Sequence, residues 1–125
     1  MSPRTPEDCD RMFAERVAAG DLDGLVALYE PNGAFVPQDG SVVNGIAAIR
    51  EALAGFASMK PKLTMNIFKV ARVGDDLAVL YNNWSLSMTG PDGKPVDRTG
   101  KAVEICRRQK DGLRLFALDD PFARG

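Results

Sequence analysis

The apolar positions in the first half of the chain predict three helices. In residues 6–19 they recur every three or four residues, as on one face of a helix. Thr5 is a suitable N-cap for this segment, and Gly20 ends it. The same spacing predicts a second, short helix over 21–29 and a third over 45–57.

Between the second and third helices the pattern predicts a turn and two brief strands. Turn-forming residues at 30–33 precede a short apolar run at 34–37 that is closed by a proline. A second turn is followed by another brief extended run at 41–44. These short strands therefore separate the third predicted helix from the first two.

After Lys60 the apolar period changes to two, which predicts strands. Glycine-containing turns divide this half into four strands, which span 63–73, 77–89, 96–108 and 113–118. Strands joined by short hairpins form an antiparallel meander. Helices followed by such a meander predict an α+β fold, which we expect to be one domain, residues 1–125.

The long predicted strands carry apolar residues on both faces, as in Val79-Leu80-Tyr81. One face can pack on the helices, and we expect a second subunit to cover the other. A curved sheet wrapped around helices also leaves a concave space where a ligand can bind.

The composition is that of a soluble globular protein, with 45% hydrophobic residues, 26% charged residues and a net charge of −1. Proteins that bind nucleic acid usually carry a strongly basic face, so no nucleic-acid partner is expected. No apolar run approaches the ~18 residues that suggest a membrane span. The first ten residues also lack an apolar signal core, so we expect a cytoplasmic protein with no membrane partner.

Histidine is absent, which excludes Ser-His-Asp and Cys-His catalysis and histidine-ligated metal sites. Acid–base chemistry would have to use Asp, Glu, Tyr, Lys or water. A calcium loop starting at Asp21 fails, because Val26 and Asn32 stand where glycine and glutamate are required; Asp21 is interpreted as a helix cap. We predict no metal and no cofactor, and we interpret Cys9 and Cys106 as free thiols rather than a disulfide.

Glu104 is the most informative polar residue, because it interrupts an apolar strand. Burying a lone carboxylate is costly. Glu104 is therefore paired with a cation such as Arg107 or Lys101, or is a protonated acid in a pocket, or faces outward. Arg107 either makes such a structural ion pair or anchors an anionic ligand.

Side chains on strand 77–89 alternate between two faces, with Tyr81 and Asn83 on one and Asn82 and Trp84 on the other. If the first row faces a cavity, it offers hydrogen bonds to a ligand. If the second row does, Trp84 forms a stacking wall; otherwise it packs in the core or a dimer interface.

Two further polar residues also leave alternatives open. Asp119 either ends the last strand or lies near the rim of the pocket. Tyr29 either fills the core or acts as a hydrogen-bond donor.

Three segments of the N-terminal half, AGDLDGLVALY at 19–29, AFV at 34–36 and GIAAIRE at 45–51, resemble a known family. This is the ketosteroid isomerase and SnoaL-like branch of the nuclear transport factor 2-like superfamily. The C-terminal half, with Trp84, the GPDG hairpin and RRQKDG at 107–112, is similar to a bacterial subgroup of that branch. The resemblance implies a cystatin-like conical barrel: three N-terminal helices in the concave face of a strongly bent antiparallel sheet, around a deep apolar pocket and usually as a dimer.

In ketosteroid isomerases an aspartate base moves a proton next to a carbonyl, while a tyrosine and a protonated acid donate hydrogen bonds to the enolate oxygen. By resemblance, the tyrosine falls on Phe13, the base at about Gln38 with Asp39 next to it, and the acid on or near Glu104. Because Phe13 cannot donate and the base is displaced, true steroid isomerisation is not expected.

Two functions follow. The first is a cofactor-free acid–base isomerase, dehydratase or hydrolase acting on a small hydrophobic carbonyl or polyketide-like metabolite, with Asp39 and Glu104 as catalytic residues. The second is a non-catalytic module of the same fold that binds a small ligand or serves as a dimeric scaffold. The expected partners are a small hydrophobic ligand and a second copy of the chain. The candidate ligand-binding residues are Phe13, Tyr29, Tyr81, Asn83, Trp84, Arg107 and Asp119.

Overall fold

A computed structural model describes residues 2–123, which form three helices and six strands. The helices are α1 (Pro6–Ala18), α2 (Leu22–Val26) and α3 (Ile46–Ser58). The strands are β1 (Tyr29–Phe35), β2 (Val43–Asn44), β3 (Lys62–Val73), β4 (Leu77–Thr89), β5 (Pro95–Arg108) and β6 (Arg114–Ala123).

The first two helices begin at the residues that the sequence indicated. The Thr5 hydroxyl accepts a hydrogen bond from the Asp8 amide, and the Asp8 carboxylate accepts one from the Thr5 amide, which together form a capping box. The Asp21 carboxylate accepts a hydrogen bond of 2.9 Å from the Gly24 amide. This contact confirms the interpretation of Asp21 as a helix cap.

The six strands form one curved sheet in the order β2-β1-β6-β5-β4-β3, with the helices packed on it. Strands β3 to β6 form the predicted antiparallel meander. The predicted α+β fold is thereby confirmed, but the sheet is mixed rather than antiparallel, because β1 pairs with β6 in parallel. Among residues 2–123, we find no helix with the length and apolar character that crossing a bilayer would require.

The predictions for residues 29–33 are wrong. The second helix ends at Val26, and Tyr29 begins β1, which runs through the predicted turn. The register between β1 and β6 shifts between Tyr29 and Ala34, so the turn-forming residues lie in an irregular part of the strand. Such irregularities accommodate proline and glycine within a sheet.

The last strand is longer than predicted, because it continues from Leu118 through Pro121 to Ala123. The register between β5 and β6 shifts in this region, between the pairs of Val103 and Lys101. A shifted register tolerates a proline, which has no amide hydrogen to donate to the ladder. Asp119 therefore lies within β6 rather than at its end.

The core lies between α1, α3 and the concave face of the sheet. Every second residue of β4 faces inward, and the buried residues of this row include Leu80, Asn82 and Leu86. On β5 the same face carries Ala102, Glu104 and Cys106, all of them buried. Both Cys106 and Cys9 are free thiols, as predicted. The inner face thus places an amide and a carboxyl within an otherwise apolar interior.

Candidate active site

An apolar cavity of about 410 Å³ lies between the helices and the concave face of the sheet. Its walls include Phe13 of α1, Phe56 of α3 and Trp84 of β4, and most of its lining is apolar. Two carboxyl groups also line it, those of Glu104 and Asp119. A volume of this size is typical of sites for small molecules.

Glu104 and Asp119 are direct neighbours on adjacent antiparallel strands, since Glu104 of β5 pairs with Asp119 of β6. Both side chains are buried, with 1% of Glu104 and 3% of Asp119 exposed to solvent. Side chains directly opposite each other on neighbouring strands have their Cβ atoms roughly 5 Å apart. The charge of Asp119 therefore disfavours ionisation of Glu104 and contributes to its raised pKa.

Glu104 belongs to a buried polar cluster with Asp10 of α1 and Asn82 of β4. The Asn82 amide nitrogen donates hydrogen bonds of 3.2 Å to Glu104 Oε1 and to Asp10 Oδ2. Burial raises the pKa of Glu104 well above its ordinary value, and a hydrogen bond with the neighbouring Asp10 carboxyl raises it further. Burial also raises the pKa of Asp10. The hydrogen bond between the two carboxyl groups favours the proton on Glu104, because it raises the pKa of Glu104 and lowers that of Asp10.

Asp119 is held by Tyr29, whose hydroxyl donates a hydrogen bond of 2.5 Å to Asp119 Oδ2. Burial raises the pKa of Asp119 to about 7, although the hydrogen bond from Tyr29 opposes that rise. The other carboxyl oxygen, Oδ1, is buried and has no hydrogen-bond partner within the described part of the chain. Asp119 thus presents an unoccupied acceptor and changes charge near neutral pH.

Trp84 forms one wall of the cavity because β5 has a glycine beside it. The indole nitrogen donates a hydrogen bond of 2.6 Å to the carbonyl oxygen of Pro121. A Cβ atom at Gly100 would lie only 2.4 Å from Cζ2 of Trp84, so the ring rests directly on the backbone of β5. Phe122 meets the ring edge to face, at 5.9 Å between centroids.

Asp39, the predicted base, lies in an exposed turn and is not among the residues that line the cavity. Its carboxylate accepts hydrogen bonds from the amide and hydroxyl of Ser41, and the pKa of Asp39 is lowered by these bonds. Asp39 therefore lies on the protein surface, and not in the pocket where a base was expected. Gln38, immediately before it, does line the cavity.

Three further candidates also lie away from the cavity. Tyr81 and Asn83 are on the outer face of β4, because it is the row containing Asn82 and Trp84 that faces inward. The Tyr81 ring packs on Phe68 and on the ammonium group of a lysine. Arg107 pairs with Glu30 at 2.9 Å rather than with Glu104. This pair is the structural alternative that the sequence had left open for Arg107.

The structure brings the other candidates together. The same cavity is lined by Phe13, Trp84, Glu104 and Asp119. Tyr29 is not in the lining but donates a hydrogen bond to Asp119. Among the described residues, no group of three or more His, Cys, Asp or Glu side chains is arranged to hold a metal ion.

Sequence reasoning missed Asp10 and Asn82. Asp10 is spaced three residues before Phe13 and seven before Val17, on the buried side of α1, so an acid on an apolar helix face was its signal. Asn82 alternates with Leu80 and Trp84, which marks it as inward-facing once the buried row is known.

Solved structures with the same fold are numerous, and the three that follow are distant in sequence. A protein from Xanthomonas campestris named after the calcium/calmodulin dependent protein kinase II association domain has a TM-score of 0.83 and 23% identity, over 92% of this chain and 82% of that one. Aln2 from a Streptomyces species has a TM-score of 0.79 and 17% identity, over 94% and 91% of the two chains. An NTF-2 like protein of unknown function from Shewanella oneidensis has a TM-score of 0.78 and 16% identity, over 95% and 100%.

No curated protein matches the sequence. The model of the SnoaL-like domain family, in contrast, matches residues 10–117, which include Asp10 and Glu104 of the buried polar cluster. The chain therefore belongs to the SnoaL-like domain family.

Proposed function

We propose that this protein is a cofactor-free acid–base enzyme that moves a proton next to a carbonyl group of a small apolar metabolite, such as a polyketide-like ketone. The observation that carries this proposal is the pair of neighbouring carboxyl groups in one apolar cavity, Asp119 and Glu104, whose pKa values are both raised but whose hydrogen-bond partners differ. Groups of this kind, with their pKa values pushed apart, identify a base and an acid.

Asp119 is the proposed general base. A base is most effective when its pKa is near the working pH, and that of Asp119 is about 7. Tyr29 fixes one carboxylate oxygen, so the unpartnered Oδ1 is the atom that would take a proton from the carbon next to the carbonyl. The electron pair of that C–H bond then forms a carbon–carbon double bond, and negative charge develops on the carbonyl oxygen.

Glu104 is the proposed donor to that oxygen. Its protonated carboxyl can donate a hydrogen bond that strengthens as charge develops, which is how a preorganised donor lowers the barrier. Within the chain itself, this proton lies in the hydrogen bond from Glu104 to Asp10. In this proposal it turns to the substrate oxygen, while Asn82 continues to hold both carboxyl groups. Asp119 then returns its proton to carbon, at the same or a conjugated position.

The test is exchange of the α-protons of β-tetralone, a small apolar ketone, in heavy water followed by proton NMR. We expect the wild type to accelerate the exchange and Asp119→Asn to slow it by roughly a hundredfold or more, the usual contribution of a positioned base. Asp39→Asn is the matched control, because Asp39 is an exposed aspartate outside the cavity, and we expect it to keep the wild-type rate. Quenching of Trp84 fluorescence shows independently whether the ketone is bound.

A second function is a non-catalytic module that holds a small hydrophobic ligand. The observation that favours it is Phe13, which lines the cavity at the position where the resemblance places a tyrosine donor. If β-tetralone quenches Trp84 but its protons exchange no faster than in buffer, the binding function is supported and the enzymatic one is refuted.

We also propose that two copies of the chain associate through the outer face of the sheet. Phe68 of β3 is 56% exposed there and packs at a tilted angle against Tyr81 of β4, so an aromatic pair lies on this face of the isolated chain. A large apolar group of this kind usually marks an interface. Sedimentation equilibrium should show a dimer, and Phe68→Glu should shift it toward the monomer; a monomeric wild type would contradict this proposal.

A further inference from the structure

Arg98 is the one cationic side chain among the described residues that line the cavity. It lies on β5 at the same face as Glu104, since Arg98, Gly100, Ala102 and Glu104 alternate along a strand that pairs without interruption with β4. Arg98 is exposed, whereas Glu104 is buried. The cavity therefore has acidic groups at its closed end and a guanidinium group at its open end.

No ion pair within the described part of the chain explains Arg98. The arginines that pair with carboxylates there are Arg11, Arg50, Arg107 and Arg108. Arg98 stands opposite Leu86 on β4, and Leu86 also lines the cavity. The Arg98 guanidinium is thus next to an apolar part of the cavity lining, and its N–H donors are available to a ligand at the opening.

Trp84 lies between the two ends of the cavity. Because Trp84 lies against the backbone of Gly100, this part of β5 presents an aromatic surface rather than a polar one. Glu104 is six positions after Arg98, and six steps of an extended strand span about 20 Å. A molecule that reaches both ends must therefore be elongated and apolar in its middle.

We propose that the opening of the cavity is a subsite for an anionic group, so that the ligand is an elongated apolar molecule with a carboxylate or sulfonate at the end next to Arg98. This inference rests on the proposed function, because the carbonyl end of the same molecule would lie at Glu104 and Asp119. The planar guanidinium group suits such anions, since it can donate two parallel hydrogen bonds. The buried acids at the closed end disfavour an anion there, so the two ends fix the orientation of the ligand.

The test uses two fluorescent probes that differ by one sulfonate group, anilinonaphthalene sulfonate and the neutral N-phenylnaphthylamine. Trp84 is the single tryptophan of the sequence and lines the cavity, so energy transfer from it reports probe bound there. We expect Arg98→Gln to lower the affinity for the sulfonate probe about fivefold, as for a partly exposed charged pair. The affinity for the neutral probe should not change. Arg72→Gln, which removes an exposed arginine outside the cavity lining, is the matched control and should change neither.

Each other result is decisive. If Arg98→Gln leaves the affinity for the sulfonate probe unchanged, or lowers the affinity for both probes equally, the anionic subsite is refuted. The apolar cavity of the proposed function then still stands. If neither probe accepts energy from Trp84 in the wild type, the cavity does not take apolar ligands and both proposals are refuted. Thermal unfolding followed by circular dichroism verifies that the two variants are folded.

Discussion

Replacing Asp119 with asparagine should remove much of the pH dependence of stability around neutral pH. The pKa of Asp119 is about 7 in the folded chain against an ordinary value of 3.8. Between these values the folded protein holds a proton that the unfolded chain has lost. The stabilisation from this proton is therefore fully present below the ordinary pKa of Asp119. The free energy of unfolding then falls as the pH rises toward the pKa of Asp119 in the folded chain.

The magnitude follows from the size of that interval. Each unit of pKa difference is worth about 1.4 kcal/mol, so between about pH 5 and about pH 8 Asp119 alone lowers the free energy of unfolding by ~3 kcal/mol. No reduction for solvent screening applies, since the carboxyl group is fully buried. The cause is burial first, followed by repulsion from Asp10 and Asp120.

The assay is urea unfolding followed by Trp84 fluorescence at several pH values. Asp10 and Glu104 also have raised pKa values and add to the same trend, so the relevant quantity is the difference between the wild type and Asp119→Asn. That difference should shift by ~3 kcal/mol from about pH 5 to about pH 8, in favour of the variant at the higher pH. Asp39→Asn should show no such shift. A difference between wild type and Asp119→Asn that is independent of pH would refute the reasoning.

Three further changes test neighbouring contacts. Tyr29→Phe removes the donor that holds Asp119, so the midpoint of the rate–pH profile should move to higher pH and stability at neutral pH should fall by about 1–3 kcal/mol, as measured by exchange kinetics and urea unfolding. Asp10→Asn removes the neighbour that raises the pKa of Glu104, so the loss of exchange activity at high pH should begin at a lower pH; an unchanged profile would contradict this. Gly100→Ala places a methyl group where the cavity tryptophan lies, so stability should fall by about 1–3 kcal/mol and the tryptophan emission should shift; unchanged emission would contradict the packing.

The sequence predicted the helices and the meander because both depend on local patterns. Turns such as Gly90–Gly93 mark the hairpins, and an alternation of two marks each strand between them. The first part of the strand Tyr29–Phe35, up to Gly33, was missed because its pairing partner in β6 is more than eighty residues away along the chain. Its proline and glycine read locally as a turn, and only the distant strand makes them part of a sheet.

The candidate site was predictable in composition but not in geometry. Glu104 was identified because an acid in an apolar strand demands an explanation, and the structure gives it partners on α1 and β4 rather than a cation. The inward face of β4 could not be chosen from an alternating pattern that is apolar on both sides. The position of Asp39 depended on a turn whose direction no local pattern determines, and Gln38, the residue immediately before it, lines the cavity.

One apolar cavity that holds two neighbouring carboxyl groups in different protonation states is the feature on which the proposed chemistry depends. The most direct test is a pH titration of the carboxyl resonances of Asp119 and Glu104 by carbon-13 NMR, assigned with Asp119→Asn and Glu104→Gln. We predict that Asp119 titrates with a pKa of about 7 and that Glu104 is still protonated there. Ionisation of both groups by about pH 5, near the ordinary values of exposed carboxyl groups, would contradict this prediction.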